Sequence, residues 1–168
     1  MEKKRRVRKL PTVITEEQFL KLIKGTRIKE RLAYCLGFYQ AMRISEVVNL
    51  LPVNIQKSQR LIEIKDSKGG KDRNIPIAPQ LVRAVKHLPI GVGIRALQIS
   101  FKKQALKTLG LDLKFHWLRH SGATHYLNVK KWNIRQLQVF LGHSNLATTE
   151  IYTHVNPKDL QDIMWDEK

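Results

Sequence analysis

The spacing of apolar residues predicts helices in the first third of the chain. From Thr15 to Gly25 the apolar residues fall on one helical face behind Thr-Glu-Glu-Gln, a helix-capping sequence, and the glycine ends the segment. A second helix is expected from about Lys29 to Gln40. A short third helix begins near Ser45, and its apolar residues face inward before Pro52 stops it.

The pattern then changes from helical to alternating. The stretches Leu61 to Lys65 and Arg73 to Ile77 alternate apolar with polar residues, and the segment between them contains Gly69-Gly70, which is typical of a β-hairpin loop. A third strand is expected near Val53 to Gln56. Because proline has no N–H for a strand ladder, Pro76 indicates an edge strand or a strand end.

Helical spacing returns in the second half of the chain. The predicted helices are Pro79 to His87, Ser100 to Leu109 with Gly110 as its stop, His116 to Asn128, Ile134 to Leu141 and Ala147 to Tyr152, followed by an amphipathic segment, Asp159 to Trp165. No internal repeat or second domain is indicated. We expect residues 12–168 to form one domain, preceded by an arm or linker at residues 1–11.

The charge balance points to a polyanionic partner. The chain of 168 residues has 31 Lys plus Arg against 14 Asp plus Glu, a formal net charge of +17, which suits nucleic acid or an acidic membrane surface. Without a long apolar run or a signal-peptide pattern, the sequence predicts a soluble, cytoplasmic protein that does not bind a membrane. Cys35, the only cysteine, allows no intrachain disulfide and is expected to be a small buried residue.

The first residues are strongly basic, with Lys3, Lys4, Arg5 and Arg6 lying among almost no apolar residues. This composition is typical of a flexible basic arm, and equally of a solvated tail.

Cationic side chains begin one of the predicted helices. His116 and Arg119 are three residues apart, so they share a helix face and both can reach one anion. His116 and His120 have the spacing of a zinc helix, but Trp117 stands where a metalloprotease has its glutamate base. Since no CxxC motif or carboxylate cluster accompanies them, we expect neither a metal nor another cofactor.

Four segments, taken together and in order, resemble the tyrosine recombinase family. They are Ala41-Met42-Arg43-Ile44-Ser45-Glu46, Ser67-Lys68-Gly69-Gly70-Lys71-Asp72-Arg73, His116-Trp117-Leu118-Arg119-His120-Ser121, and Leu141-Gly142-His143-Ser144 followed by Ile151-Tyr152-Thr153-His154. The match runs from Thr12 to about Pro157 and is to the catalytic domain of Xer-like recombinases and phage integrases. It implies that family's α+β fold, mainly α-helical with a small antiparallel three-stranded sheet on one side.

The resemblance also implies a site that cuts and rejoins DNA, made of Arg43, Lys68, His116, Arg119, His143 and Tyr152. A lone tyrosine is usually an ordinary surface or core residue, but here Tyr152 would attack a phosphodiester and form a 3′-phosphotyrosine link. The two arginines and two histidines would hold the phosphate, with His116 also a candidate to accept the tyrosine proton. Lys68 would protonate the departing 5′ oxygen, with no need for ATP or a metal ion.

Several assignments stay open. The two arginines act in catalysis or only contact the DNA backbone, and either Lys68 or Lys71 acts at the hairpin. Glu46 is expected to cap its helix or support Arg43 rather than react. Other histidines, including His120 and His125, are expected to pack or bond locally. Additional contacts to double-stranded DNA are expected from Lys3, Lys4, Arg5, Arg6, Lys71 and Arg73.

By family analogy, four protomers would hold two duplexes, with the C-terminal segment docking on a neighbour; packing on the chain's own core is the equal alternative. The N-terminal core-binding domain of many members is expected to be absent, leaving an excised catalytic domain or a minimal recombinase. Ala41 replaces a glycine common in the family, and the stretch from Leu88 to Ser100 looks short. We expect neither departure to touch the chemistry.

Two other functions compete with recombination. A type IB topoisomerase shares the chemistry but rejoins the original strands, and chain length together with Leu-Gly-His-Ser at 141–144 favours the recombinase. A non-catalytic DNA-binding module is disfavoured because all six site positions carry competent side chains.

Overall fold

The computed structural model describes residues 12–65 and 72–142, together with residues 161, 164 and 165. Its elements are mainly helical, with one small sheet, and their order agrees with the sequence-based expectation. The helices are α1 (Glu16–Ile23), α2 (Ile28–Tyr39), α3 (Ile44–Asn49), α4 (Ile94–Leu109), α5 (His116–Asn128) and α6 (Ile134–Leu141). The expected helix from Ala147 to Tyr152 lies outside the described residues.

Local sequence sets several helix boundaries. Thr15 caps α1 as predicted: its side chain accepts a hydrogen bond from the Gln18 backbone N–H, and the Gln18 side chain accepts one from the Thr15 N–H. The same reciprocal pattern joins Asn133 and Gln136 at the start of α6. Gly142 ends α6 with a φ of 63°, a left-handed conformation that glycine adopts without strain.

The sheet has the order β1 (Ile55–Gln56), β2 (Leu61–Ile64) and β3 (Arg73–Pro76), and both pairings are antiparallel. Ile64 pairs with Arg73, and residues 66–71 between these two strands lie outside the described part of the chain. Pro76 lies on an edge strand, as expected from its missing N–H. The three-stranded antiparallel sheet is thus confirmed.

Two predicted helices were wrong in detail. The segment expected as one helix from Pro79 to His87 is instead two short 3-10 helices, Pro79–Leu81 and Ala84–His87. Helix α4 begins six residues before the predicted Ser100. Its early turns were missed because Ile94 and Ile99 are 41% and 49% exposed, so apolar residues there do not mark the buried face.

Helices α2 and α5 pack closely in the centre of the core. Every residue of α2 from Leu32 to Tyr39 is buried, and Cys35 is among them, as predicted. At Gly122 of α5, an added Cβ would collide with the carbonyl oxygen of Phe38 and lie 3.0 Å from its carbonyl carbon. Gly37 faces α5 less tightly, because its Cβ would meet only the ends of the Leu118 and Phe115 side chains, at 3.1–3.2 Å.

Residues near the C-terminus pack against the same chain beside the sheet, at Arg60 before β2 and Ile77 after β3. Met164 is buried, and the Trp165 indole donates a hydrogen bond to the Ile77 carbonyl oxygen at 3.3 Å. The Arg60 guanidinium lies 4.2 Å from the centre of the Trp165 ring, a cation–π contact. Met164 and Trp165 therefore pack on their own chain, which was the alternative to docking on a neighbour. No helix in the described part of the chain is long and apolar enough to cross a bilayer.

Candidate active site

Arg43 lies at the start of α3, where the chain leaves the turn after α2. Its backbone N–H donates to Glu46 Oε2 at 2.8 Å, and its guanidinium donates to Glu46 Oε1 at 3.0 Å. The Arg43 side chain is 38% exposed, whereas that of Glu46 is 5% exposed. Glu46 therefore caps the helix and orients Arg43 at once, as the sequence predicted.

Arg119 is brought to the same region by the first turns of α5. It is only 4% exposed, and its two terminal nitrogens donate to the carbonyl oxygens of Ala41 at 2.6 Å and Leu141 at 2.7 Å. Burial and then the charge of Arg43 lower the pKa of Arg119 to about 10, so the guanidinium stays charged at neutral pH. The two arginines are thus neighbours.

Ala41 contacts Arg119 through its backbone. Ala41 has a φ of 46°, in the left-handed region that favours glycine, which explains why a glycine suits this position. Its carbonyl oxygen accepts from Arg119, and because alanine and glycine both supply that oxygen, the expectation that the alanine leaves the chemistry untouched stays a prediction. Gln40 anchors the same turn by donating to the Pro76 carbonyl oxygen at 3.1 Å.

His116 is the first residue of α5 and is exposed on the same side as Arg119. Partial burial lowers its pKa, and the positive charges of His120, Arg119 and Arg43 lower it further. The His116 imidazole is therefore neutral at pH 7 and able to accept a proton. Its ring packs edge-on against His120, with centroids 4.6 Å apart, which agrees with a local packing role for His120.

The surroundings of the Arg73 side chain were not predicted from the sequence. Both of its terminal nitrogens donate to the Glu46 carboxylate, at 3.0 and 3.1 Å, and its side chain is 11% exposed. The missed signal is strand alternation, since Arg73 and the buried Ile75 are two apart and share one face of β3. The DNA contact expected of Arg73 stays a prediction.

The charges of this cluster favour an anion. Among the described residues whose contacts are given above, Arg43, Arg73 and Arg119 are positively charged and surround the carboxylate of Glu46. Burial by itself would raise the pKa of Glu46, but its hydrogen bonds and charge interactions, chiefly with Arg73, lower it overall. The carboxylate stays ionised, and the cluster keeps an excess of positive charge that suits a phosphate.

The remaining predicted site residues lie outside the described part of the chain. These are Lys68, His143 and Tyr152, and among the expected DNA contacts Lys3, Lys4, Arg5, Arg6 and Lys71. Two described residues adjoin them in the sequence: Arg73 begins β3 five positions after Lys68, and Gly142, which lies against Arg73, precedes His143. Across residues 12–65 and 72–142, no group of three or more His, Cys, Asp or Glu side chains could hold a metal ion.

Comparison with known proteins identifies the family of the chain. The sequence profile described as "Phage integrase family" matches residues 12–92 and 94–159. The tyrosine recombinase XerA of Pyrococcus furiosus is 33% identical over 175 aligned positions, which cover 91% of this chain and 60% of the relative. The chain thus spans about three fifths of that relative's length.

Solved structures share the fold. An integrase from mycobacterium phage Brujita superposes with a TM-score of 0.80 at 19% identity, covering 95% of this chain and 59% of that one. A lambda integrase tetramer bound to a Holliday junction gives a TM-score of 0.62 at 19% identity, covering 83% of this chain and 48% of that one. With the profile matching most of its residues, this chain belongs to the phage integrase family.

Proposed function

We propose that this chain is the catalytic domain of a site-specific DNA recombinase that cleaves and rejoins DNA through Tyr152. The observation that carries the proposal is the cluster of Arg43, Arg119 and His116, three of the six expected site residues, which α3 and α5 bring together beside Glu46. A chance resemblance of short motifs would not gather these side chains from positions more than 70 residues apart in the sequence.

The two arginines hold the phosphate that is attacked. Attack adds negative charge to a phosphorus centre already surrounded by anionic oxygens, and a guanidinium can donate two parallel hydrogen bonds to such oxygens. Each terminal nitrogen of Arg119 carries two protons, and only one of them is used by Ala41 or Leu141. The guanidinium is therefore fixed by the backbone and still has protons to donate.

In this proposal Tyr152 is the nucleophile, and His116 accepts its proton. A free phenol has a pKa of about 10 and needs a base at neutral pH, for which the neutral His116 is suited. Lys68 on the hairpin, or Lys71 in its place, protonates the departing 5′ oxygen. The bond between phosphorus and the 5′ oxygen breaks as a bond between phosphorus and the Tyr152 oxygen forms, so a hydroxyl from another strand can reverse the step without ATP or a metal ion.

Double-stranded DNA is the partner, and a homotetramer on DNA is the working assembly. The net charge of +17 and the basic residues 1–11 support the DNA contact. The lambda integrase, which shares this fold, has been solved as a tetramer on a Holliday junction. The proposed compartment of this action is the cytoplasm.

The experiment is to trap covalent adducts on DNA of unknown target sequence. Wild-type protein and Tyr152→Phe are incubated with a randomised pool of nicked duplexes, and denaturing gels then reveal protein bound to a 3′ end. We expect adducts from the wild type only, with equal DNA affinity for both proteins. Adducts that persist in Tyr152→Phe would show that another residue attacks.

A second measurement separates recombination from topoisomerase action. Selected sequences from the adducts are built into paired duplexes and into a supercoiled plasmid. Exchange of strands between the duplexes supports the proposal, whereas relaxation of the plasmid without exchange supports the type IB alternative. DNA affinity should fall by roughly 0.9 log units per log unit of salt for each phosphate neutralised, so a flat salt response would contradict DNA binding altogether.

A further inference from the structure

Arg73 faces the site cluster rather than solvent. The side chain is 11% exposed, and its two terminal nitrogens each donate to a different oxygen of Glu46. This two-pronged geometry fixes the orientation of the carboxylate as well as its position. Arg73 thus acts first on Glu46.

The Glu46 carboxylate, once fixed in this way, orients Arg43. The same two oxygens that accept from Arg73 also accept from the Arg43 backbone N–H and from the Arg43 guanidinium. Without Arg73, the Glu46 carboxylate, which is 5% exposed, would lose two charged hydrogen bonds and would become able to rotate. The orientation of Arg43 therefore depends on Arg73, although no hydrogen bond joining the two arginines is needed.

Arg73 also lies against the end of α6. A Cβ added to Gly142 would come within 2.7–2.9 Å of the Arg73 Cδ, Nε and Cζ atoms, so the arginine fills the space beside the glycine. The preceding residue, Leu141, holds Arg119 through its carbonyl oxygen. The next residue in the chain is His143, and Arg73 itself follows Lys68 by five positions.

We propose that Arg73 is a positioning residue for DNA cleavage, which orients Arg43 through Glu46 and sets the end of α6 through its contact with Gly142. The proposal deepens the recombinase function and rests on it. It assigns Arg73 no contact with the reacting phosphate, which distinguishes it from a DNA-binding residue.

The first test compares the rate of cleavage with DNA affinity. Arg73→Met is measured beside Arg95→Met, a matched change at an exposed position of α4. Because small misplacement of a reacting group slows chemistry strongly, we expect Arg73→Met to lower the single-turnover rate of adduct formation about 10- to 100-fold. Its DNA dissociation constant should change less than about threefold, and Arg95→Met should change both values less than about twofold. Equal losses of rate and affinity in Arg73→Met would overturn the proposal.

A double-mutant cycle tests whether the effect passes through Glu46. If it does, Arg73→Met combined with Glu46→Gln should be about as slow as the slower single variant. Rate losses that multiply would show that Arg73 acts independently of Glu46 and would overturn the proposal. Should Arg73→Met be unfolded at the assay temperature, Arg73→Lys replaces it, since lysine keeps the charge but not the two-pronged geometry.

A third readout does not depend on activity. The Nε–Hε signal of Arg43 in a ¹⁵N NMR spectrum of the DNA-free protein should be shifted away from the position of a solvated arginine. It should move toward that position in Arg73→Met and not in Arg95→Met. An Arg43 signal unchanged by Arg73→Met would overturn the proposal. If the Arg43 signal moves as expected but the wild type forms no DNA adduct, the recombinase function alone would fail.

Discussion

Replacing Gly122 with alanine tests whether the closest contact between α2 and α5 sets the stability of the domain. The added Cβ would collide with the Phe38 carbonyl oxygen and lie 3.0 Å from its carbonyl carbon, and neither atom can rotate away. Since carbon atoms pack at about 3.5–4.0 Å, the two helices must separate by roughly 0.5–1 Å even for the longer contact. Overpacking of this kind destabilises by about 1–3 kcal/mol, and more where backbone must move.

Alanine also favours a helix over glycine by about 1 kcal/mol, so part of that destabilisation is offset. We expect Gly122→Ala to lose about 2 kcal/mol or more of unfolding free energy, which corresponds to a melting temperature lower by at least roughly 4–8 °C. The matched control is Gly37→Ala, whose Cβ meets only the ends of the Leu118 and Phe115 side chains. Because those ends can yield, the control should stay within about 1 kcal/mol of wild type.

Urea unfolding followed by circular dichroism measures all three proteins under one condition. If Gly122→Ala proves as stable as wild type, or if Gly37→Ala proves the more damaging change, the reasoning about this helix contact is wrong.

Three further predictions follow from other contacts. Gly142→Ala should slow DNA cleavage and lower the melting temperature, because the alanine would be strained at a φ of 63° and would displace Arg73; kinetic and thermal assays of one preparation would check both. Burial lowers the pKa of His125 although Glu16 raises it, so the unfolded chain binds this proton at higher pH than the folded one. Unfolding free energy should therefore be constant above about pH 6.5 and fall below it, and His125→Gln should reduce that slope in urea titrations from pH 5 to 8. Asn133→Ala removes the cap of α6 and should lose about 1 kcal/mol of stability by the same urea method, whereas no loss would mean that the cap is dispensable.

The sequence predicted most elements because their signals are local. The capping sequence at Thr15, the alternation around the hairpin and the break at Pro76 all act within a few residues, and each appears in the structure. The predicted start of helix α4 was too late because Ile94 and Ile99 face solvent, and apolar residues that face solvent hide the helical period. Propensity and periodicity do not report which of two apolar faces is covered by the rest of the chain.

The site was predicted as a set of residues and less well as a set of contacts. Resemblance identified Arg43, Arg119 and His116, but nothing near Arg119 in the sequence shows that it is buried. Its partners, Ala41 and Leu141, lie 78 and 22 residues away. The ion pair of Arg73 was not predicted for a related reason, since an arginine beside a lysine-rich loop usually faces water, and its partner, Glu46, lies in another element.

The two acceptors that hold Arg119 are peptide carbonyls, and every amino acid supplies one. Substitution at positions 41 and 141 therefore cannot delete these hydrogen bonds, provided that the main chain keeps its course. The side chains there are constrained in other ways, because Ala41 and Leu141 are buried and Ala41 has a φ of 46°. Insertions or deletions in the turn after α2 or at the end of α6 would release the guanidinium. The vulnerability of this site is thus to changes in loop length more than to changes in residue identity.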